Sequence, residues 1–79
     1  MTNKLTLFSG SQCSLCDIAK SLLQEVAPEA MASLQIIDVK AERAFFHEYG
    51  ARIPVLRRND KQTELGWPFT AEQLSEFLQ

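Results

Sequence analysis

No apolar run in this chain approaches the ~20 residues that cross a bilayer, which excludes a membrane-spanning helix. No basic run is longer than Arg57-Arg58, and 8 basic side chains face 10 acidic ones for a net charge of −2. That balance offers no electrostatic footprint for nucleic acid and no polybasic segment for anionic lipid. The stretch Leu5-Thr6-Leu7-Phe8 is too short for the apolar part of a signal peptide. Internal repeats, low-complexity tracts and linkers are absent. With Met1 at its start, the chain is expected to be one complete domain over residues 1–79, soluble and cytoplasmic.

Cysteine and histidine are also scarce: two of the first and one of the second, His47. In a reducing compartment a structural disulfide is rare, so two cysteines there suggest catalysis or redox sensing. A zinc site needs four ligands, and Cys13, Cys16 and His47 cannot complete one within a monomer. Against these absences, 46% of the residues are hydrophobic, ordinary for a globular fold. A chain of 79 residues buries only ~60% of its unfolded surface, so its core is modest.

The periodicity changes along the chain. Lys4 to Phe8 alternates polar with apolar and reads as a strand, followed by a loop at Ser9-Gly10-Ser11-Gln12. From Cys13 to Val26, Leu15, Ile18, Leu22, Leu23 and Val26 line one face of a helix that Pro28 stops. Leu34 to Val39 is a second strand. Ala41 to Tyr49 is a short helix with Phe45, Phe46 and Tyr49 for packing and Gly50 as its cap. Ile53-Pro54-Val55-Leu56 is a third strand and Gln62 to Leu65 a fourth, joined through Asn59-Asp60-Lys61 as a hairpin that Gly66 ends. Thr70 opens a last helix, with Gln73 completing a capping box and Leu74, Phe77 and Leu78 as its apolar face. The order is β-α-β-α-β-β-α, an α/β fold with a four-stranded mixed sheet and three helices. Strands separated by helices are expected to pair in parallel.

The chemistry centres on Cys13-Ser14-Leu15-Cys16. Thiol–disulfide exchange needs a thiolate and a second sulfur in reach. Cys13 stands where loop becomes helix, and the unpaired N–H groups there favour the thiolate, so its pKa is predicted to be lowered. Cys16 lies one turn on, deeper in the helix. Cys13 is therefore the attacking sulfur and Cys16 the resolving one. Asp17 opposes thiolate formation at Cys16; Lys20 assists only if it curls back. Two other readings stand beside this one: a pair of cysteines packed in a core, and a metal or cluster shared between two chains.

A strand, a C-x-x-C at a helix start and a later Ile-Pro opening a strand resemble the thioredoxin superfamily. The length, the order of elements and Tyr49-Gly50-Ala51-Arg52-Ile53-Pro54-Val55-Leu56 look most like its small glutaredoxin-like bacterial branch. The resemblance implies a cis Ile53–Pro54 bond beside the two sulfurs, with Ile53 offering backbone groups to an extended substrate. From the residues alone, a trans proline starting an edge strand is also allowed.

The departures from that family concern glutathione. Ser14-Leu15 replaces the usual proline-containing pair, and Arg52-Ile53-Pro54 stands for Thr-Val-Pro. Gly66-Trp67-Pro68-Phe69-Thr70 stands where the family has a Gly-Gly loop and an aspartate, and Pro68 removes a donor. Arg52 and the helix start at Thr70 are candidates to hold a substrate carboxylate, and Trp67 with Phe69 to form an apolar rim. Each has a plainer role, as solvated charge, cap or packing.

The expected protein is a thiol–disulfide oxidoreductase that acts on protein or small-molecule disulfides as a monomer. It has no cofactor and no metal, with glutathione a candidate reductant. The alternatives are a redox-sensitive binding module with little turnover and a dimeric metal or cluster carrier.

Overall fold

The computed structural model describes residues 4–79, and the readings that rest on Met1 lie outside them. The elements are β1 (Leu5–Ser9), α1 (Ser14–Val26), β2 (Leu34–Asp38), α2 (Arg43–Tyr49), β3 (Val55–Arg58), β4 (Thr63–Gly66) and α3 (Ala71–Phe77). A 3-10 turn over Pro28–Ser33, which the periodicity did not suggest, links α1 to β2. None of the helices is long and apolar enough to cross a membrane among the described residues.

The sheet order is β2-β1-β3-β4. β1 pairs in parallel with β2, with Leu7 opposite Ile36, and antiparallel with β3, with Leu7 opposite Leu56. β3 and β4 form the expected antiparallel hairpin. The rule that an intervening helix implies parallel strands therefore holds for β1–β2 and fails for β1–β3. The connection through α2 returns the chain in the opposite direction.

One sheet face carries Leu5, Leu7 and Leu56 against Ala19 and Leu23 of α1 and Leu74 of α3. The other carries Phe8 and Val55 against Val39 and Tyr49. Burying a leucine such as Leu7, Leu23, Leu56 or Leu74 stabilises by roughly 1.5–3 kcal/mol. Because both faces are covered, all five residues of β1 are buried, polar ones included. The alternation in Lys4 to Phe8 marks two packed faces rather than one wet face. Thr6 tolerates burial because Asn59 donates a hydrogen bond to its hydroxyl at 2.9 Å.

Two helix faces differ from the periodic reading. In α1 the buried line is Cys16, Ala19 and Leu23, while Leu15 and Ile18 are exposed. The helix is rotated so that its second cysteine points inward. In α2, Tyr49 is buried and Phe46 is exposed, because one short helix turns only one narrow stripe to the sheet. Tyr49 stacks on Phe8 with centroids 3.8 Å apart and planes 9° apart. Gly50 caps α2 in the right-handed region, φ −53°, rather than the left-handed one. A Cβ there would lie 2.5 Å from the Phe46 carbonyl oxygen. β3 begins at Val55, so Ile53 and Pro54 lie in the segment before it.

At the far end, Arg58 ties the chain terminus to the sheet. It donates to the Phe77 carbonyl at 3.0 Å, to the Gln79 carbonyl, and to both carboxylate oxygens of Asp60 at 3.2 and 2.8 Å. The guanidinium holds Asp60 below the usual carboxylate range. That contribution is present above the unfolded pKa of Asp60 and is lost as pH falls through the lower folded one.

α3 begins with the capping box read from the sequence: Gln73 N–H donates to Thr70 Oγ1 at 3.1 Å, and Thr70 N–H donates to Gln73 Oε1 at 2.9 Å. Leu74, fully buried, anchors this helix. Leu74→Ala is expected to destabilise the fold by about 3 kcal/mol. Urea unfolding followed by Trp67 fluorescence measures this, and a loss below about 1 kcal/mol would mean that α3 is not part of the cooperative core.

Candidate active site

β1 ends at Ser9, and a short loop carries the chain into α1. Gln12 makes the turn at φ 57°, a left-handed conformation that costs an L residue roughly 1–2 kcal/mol. Cys13 follows in extended geometry as the cap of α1. Its sulfur accepts the Cys16 N–H at 3.1 Å, and its carbonyl accepts the Asp17 N–H at 3.2 Å. The sulfur thus lies over the first turn, where uncompensated N–H groups give partial positive charge.

Cys13 and Cys16 are at disulfide distance, with Cα atoms 5.2 Å apart. They differ in exposure: Cys13 is half-buried and Cys16 is 1% exposed. The second is enclosed in the interior, whereas the first reaches the surface. Among the described residues no group of three or more His, Cys, Asp and Glu is placed to hold a metal ion, and His47 is an exposed residue of α2.

The segment before β3 borders this loop. The Ile53–Pro54 peptide is cis, as is Trp67–Pro68. Pro54 is buried, and its carbonyl accepts the Trp67 N–H at 3.1 Å. Ile53 is half-buried and closes on Gly10: a Cβ at Gly10 would come within 2.9 Å of Ile53 Cδ1. A side chain there would make the Ile53 Cδ1 methyl shift, so the loop passes closest to Ile53 at Gly10.

The other singled-out residues are placed differently. Arg52 donates to the Glu48 carbonyl at 3.1 Å, pairs with Glu64 at 3.8 Å and lies over the Tyr49 ring at 5.0 Å. Thr70 has its hydroxyl and its N–H in the capping box. Phe69 is buried in the core against Trp67, with ring centroids 5.0 Å apart, so it packs rather than forms a rim. Lys20 sits 3.6 Å from Asp17.

Reading the sequence missed Lys40, whose ammonium donates to the Ser11 carbonyl at 3.4 Å. The parallel pairing of β1 with β2, which sets Ser9 beside Asp38, is the signal that would have brought it to the cysteine loop. It also missed the link between α2 and β4, where the Tyr49 hydroxyl donates to Glu64 Oε2 at 2.5 Å.

A four-stranded mixed sheet with a cysteine pair capping its first helix defines a glutaredoxin-like domain. The chain belongs to the glutaredoxin-like domain family (DUF836), whose model matches residues 4–79. It is similar to the X-ray structure of XcR50 from X. campestris, a Northeast Structural Genomics target, with 34% identity and a TM-score of 0.81. The match covers 94% of this chain and 93% of that one. The solution structure of the same target gives 33% identity and 0.80 over 95% and 91%. Protein Ne2328 from Nitrosomonas europaea shares the fold, with 19% identity and a TM-score of 0.76 over 98% and 92%. None of the curated proteins matches.

Burial and the Glu64 carboxylate raise the Tyr49 pKa. The neutral phenol is thus the form the fold favours. Its contribution is complete below the unfolded tyrosine pKa and is lost as pH rises through the higher folded one. Tyr49 is the one tyrosine of the chain. Titration of phenolate absorbance should therefore show a single midpoint above the ordinary tyrosine range, moving down in Glu64→Gln. A midpoint indifferent to Glu64 would mean that the bond does not hold in solution.

Proposed function

We propose that this domain is a thiol–disulfide oxidoreductase that works through Cys13 and Cys16. The observation that carries the reading is the asymmetry of the pair: an accessible sulfur capping α1, backed by a buried one within bonding distance.

In the reduced protein the Cys13 thiolate attacks one sulfur of a substrate disulfide. A mixed disulfide forms and the other substrate sulfur leaves as a thiolate, taking up a proton from solvent. Cys16 then loses its proton and attacks the Cys13 sulfur, releasing the second half of the substrate as a thiol. Two electrons pass to the substrate, and the protein is left with its internal disulfide. A thiol reductant returns both electrons, and glutathione is a candidate for that role.

This reading makes the Ile53-Pro54 segment the substrate-facing one, with an extended polypeptide or a small disulfide laid along the Ile53 backbone. Arg52 and Thr70 have structural roles in it, because their polar groups already have partners within the chain. A monomer in the reducing cytoplasm suits a cycle that ends in a transient disulfide.

The test combines a thiol titration with turnover of bis(2-hydroxyethyl) disulfide. The Cys13 thiol of the reduced protein should titrate below the ~8.5 of a free cysteine. Cys13→Ser should reduce exchange to background, and Cys16→Ser should accumulate a mixed disulfide visible by mass. Loss in Cys16→Ser with retention in Cys13→Ser would reverse the roles. A reversible disulfide with no turnover would instead favour a redox-sensitive binding module.

A further inference from the structure

We propose that Lys40 is a specificity residue of the redox site, a cation on its rim that pairs with a carboxylate carried beside the substrate's disulfide. The inference rests on the reading of Cys13 and Cys16 as an exchanging pair.

The placement is built from the backbone outward. The Val39 N–H donates to the Ser9 carbonyl at 2.9 Å, which lays the chain after β2 against the end of β1. Asp38 Oδ1 accepts the Lys40 N–H at 2.9 Å and fixes the direction of the turn. The aliphatic stem of Lys40 then crosses Gly10, where a Cβ would lie 3.5 Å from Lys40 Cε and 2.9 Å from Ile53 Cδ1. Because residue 10 has no side chain, Lys40 and Ile53 close on the same piece of backbone. The ammonium ends at the Ser11 carbonyl, two residues before Cys13.

The ammonium is held there weakly. At 3.4 Å the bond to Ser11 is near the outer limit of a hydrogen bond, its acceptor is neutral and its donor is exposed. A carboxylate would replace that acceptor with a charge-assisted one. The cations that the sequence puts closest to the redox segments are engaged otherwise, Lys20 with Asp17 at 3.6 Å and Arg52 with Glu64 at 3.8 Å. A substrate lying along Ile53 passes Lys40 across the width of Gly10. The substrate class is a disulfide with a carboxylate near it, whether in the tripeptide glutathione or beside a cysteine of a polypeptide.

Steady-state exchange by the full chain decides this with two pairs of disulfides. Glutathione disulfide is compared with bis(2-hydroxyethyl) disulfide. A cystine-bridged peptide with glutamates beside the cysteine is compared with its glutamine counterpart. The readout is the KM of the anionic member divided by that of the neutral one. Lys40→Gln should raise this ratio about three-fold, the size of an exposed ion pair, and Lys40→Glu should raise it further. Lys40→Arg should restore it, since the charge is kept. The preference should fade near ~1 M salt, where the screening length is ~3 Å.

A rise in the peptide pair alone assigns the carboxylate to a polypeptide substrate, and one in the glutathione pair alone assigns it to the tripeptide. Either supports the proposal. A ratio that neither Lys40→Gln nor Lys40→Glu moves overturns it, as does a change in kcat alone. If the unsubstituted protein exchanges none of the four disulfides, the redox reading has failed and this inference falls with it.

Discussion

Burial of β1 on both faces is the constraint from which the rest of the molecule follows. Its Leu5 and Leu7 need one cover, and its Phe8 needs another. A chain of 79 residues has little material for two covers. It meets the demand with α1 and α3 on one side and the single short helix α2 on the other. The sheet order places β1 between β2 and β3, so that Ser9 sits beside Asp38 on one flank and Phe8 beside Val55 on the other. The loop after Ser9 is thereby bordered by the segments that contain Lys40 and Ile53-Pro54. The cysteine pair stands where the central strand ends because that is where those segments converge.

The rotation of α1 connects packing to chemistry. Its buried line runs Cys16, Ala19 and Leu23, which leaves Leu15 and Ile18 outside. Had the helix buried the stripe that its leucines and isoleucine suggest, Cys16 would have turned toward solvent. Cys16 shares the buried side of the helix with Ala19 and Leu23, which encloses one sulfur while its partner caps the helix. The difference in exposure within a four-residue motif is therefore a packing result. It assigns the two sulfurs their separate parts in the proposed exchange.

Charges on the α2 side follow a similar logic. Glu64 on β4 receives the Tyr49 hydroxyl and faces Arg52 and Arg57. These groups make a small polar lid over the aromatic stack of Phe8 and Tyr49. With Arg52 held in that lid, the cation nearest the cysteine loop is one from the end of β2.

Much of this was legible along the chain. The seven elements and their order, the hairpin and the capping box of α3 all rest on neighbours within a few residues, where periodicity and capping act directly. The spacing of Cys13 and Cys16 and their place at a helix start are local in the same sense. The alternation in β1, the stripe on α1 and the aromatics of α2 were ambiguous, because a local pattern shows that a residue is apolar without showing what covers it. Leu15 and Phe46 fit the apolar pattern and yet stand exposed. The antiparallel pairing of β1 with β3, the engagement of Arg52 by Glu64 and the approach of Lys40 to Ser11 join residues far apart in sequence. Contacts of that kind depend on sheet order and helix rotation, which emerge only when all the apolar faces compete for the same small core.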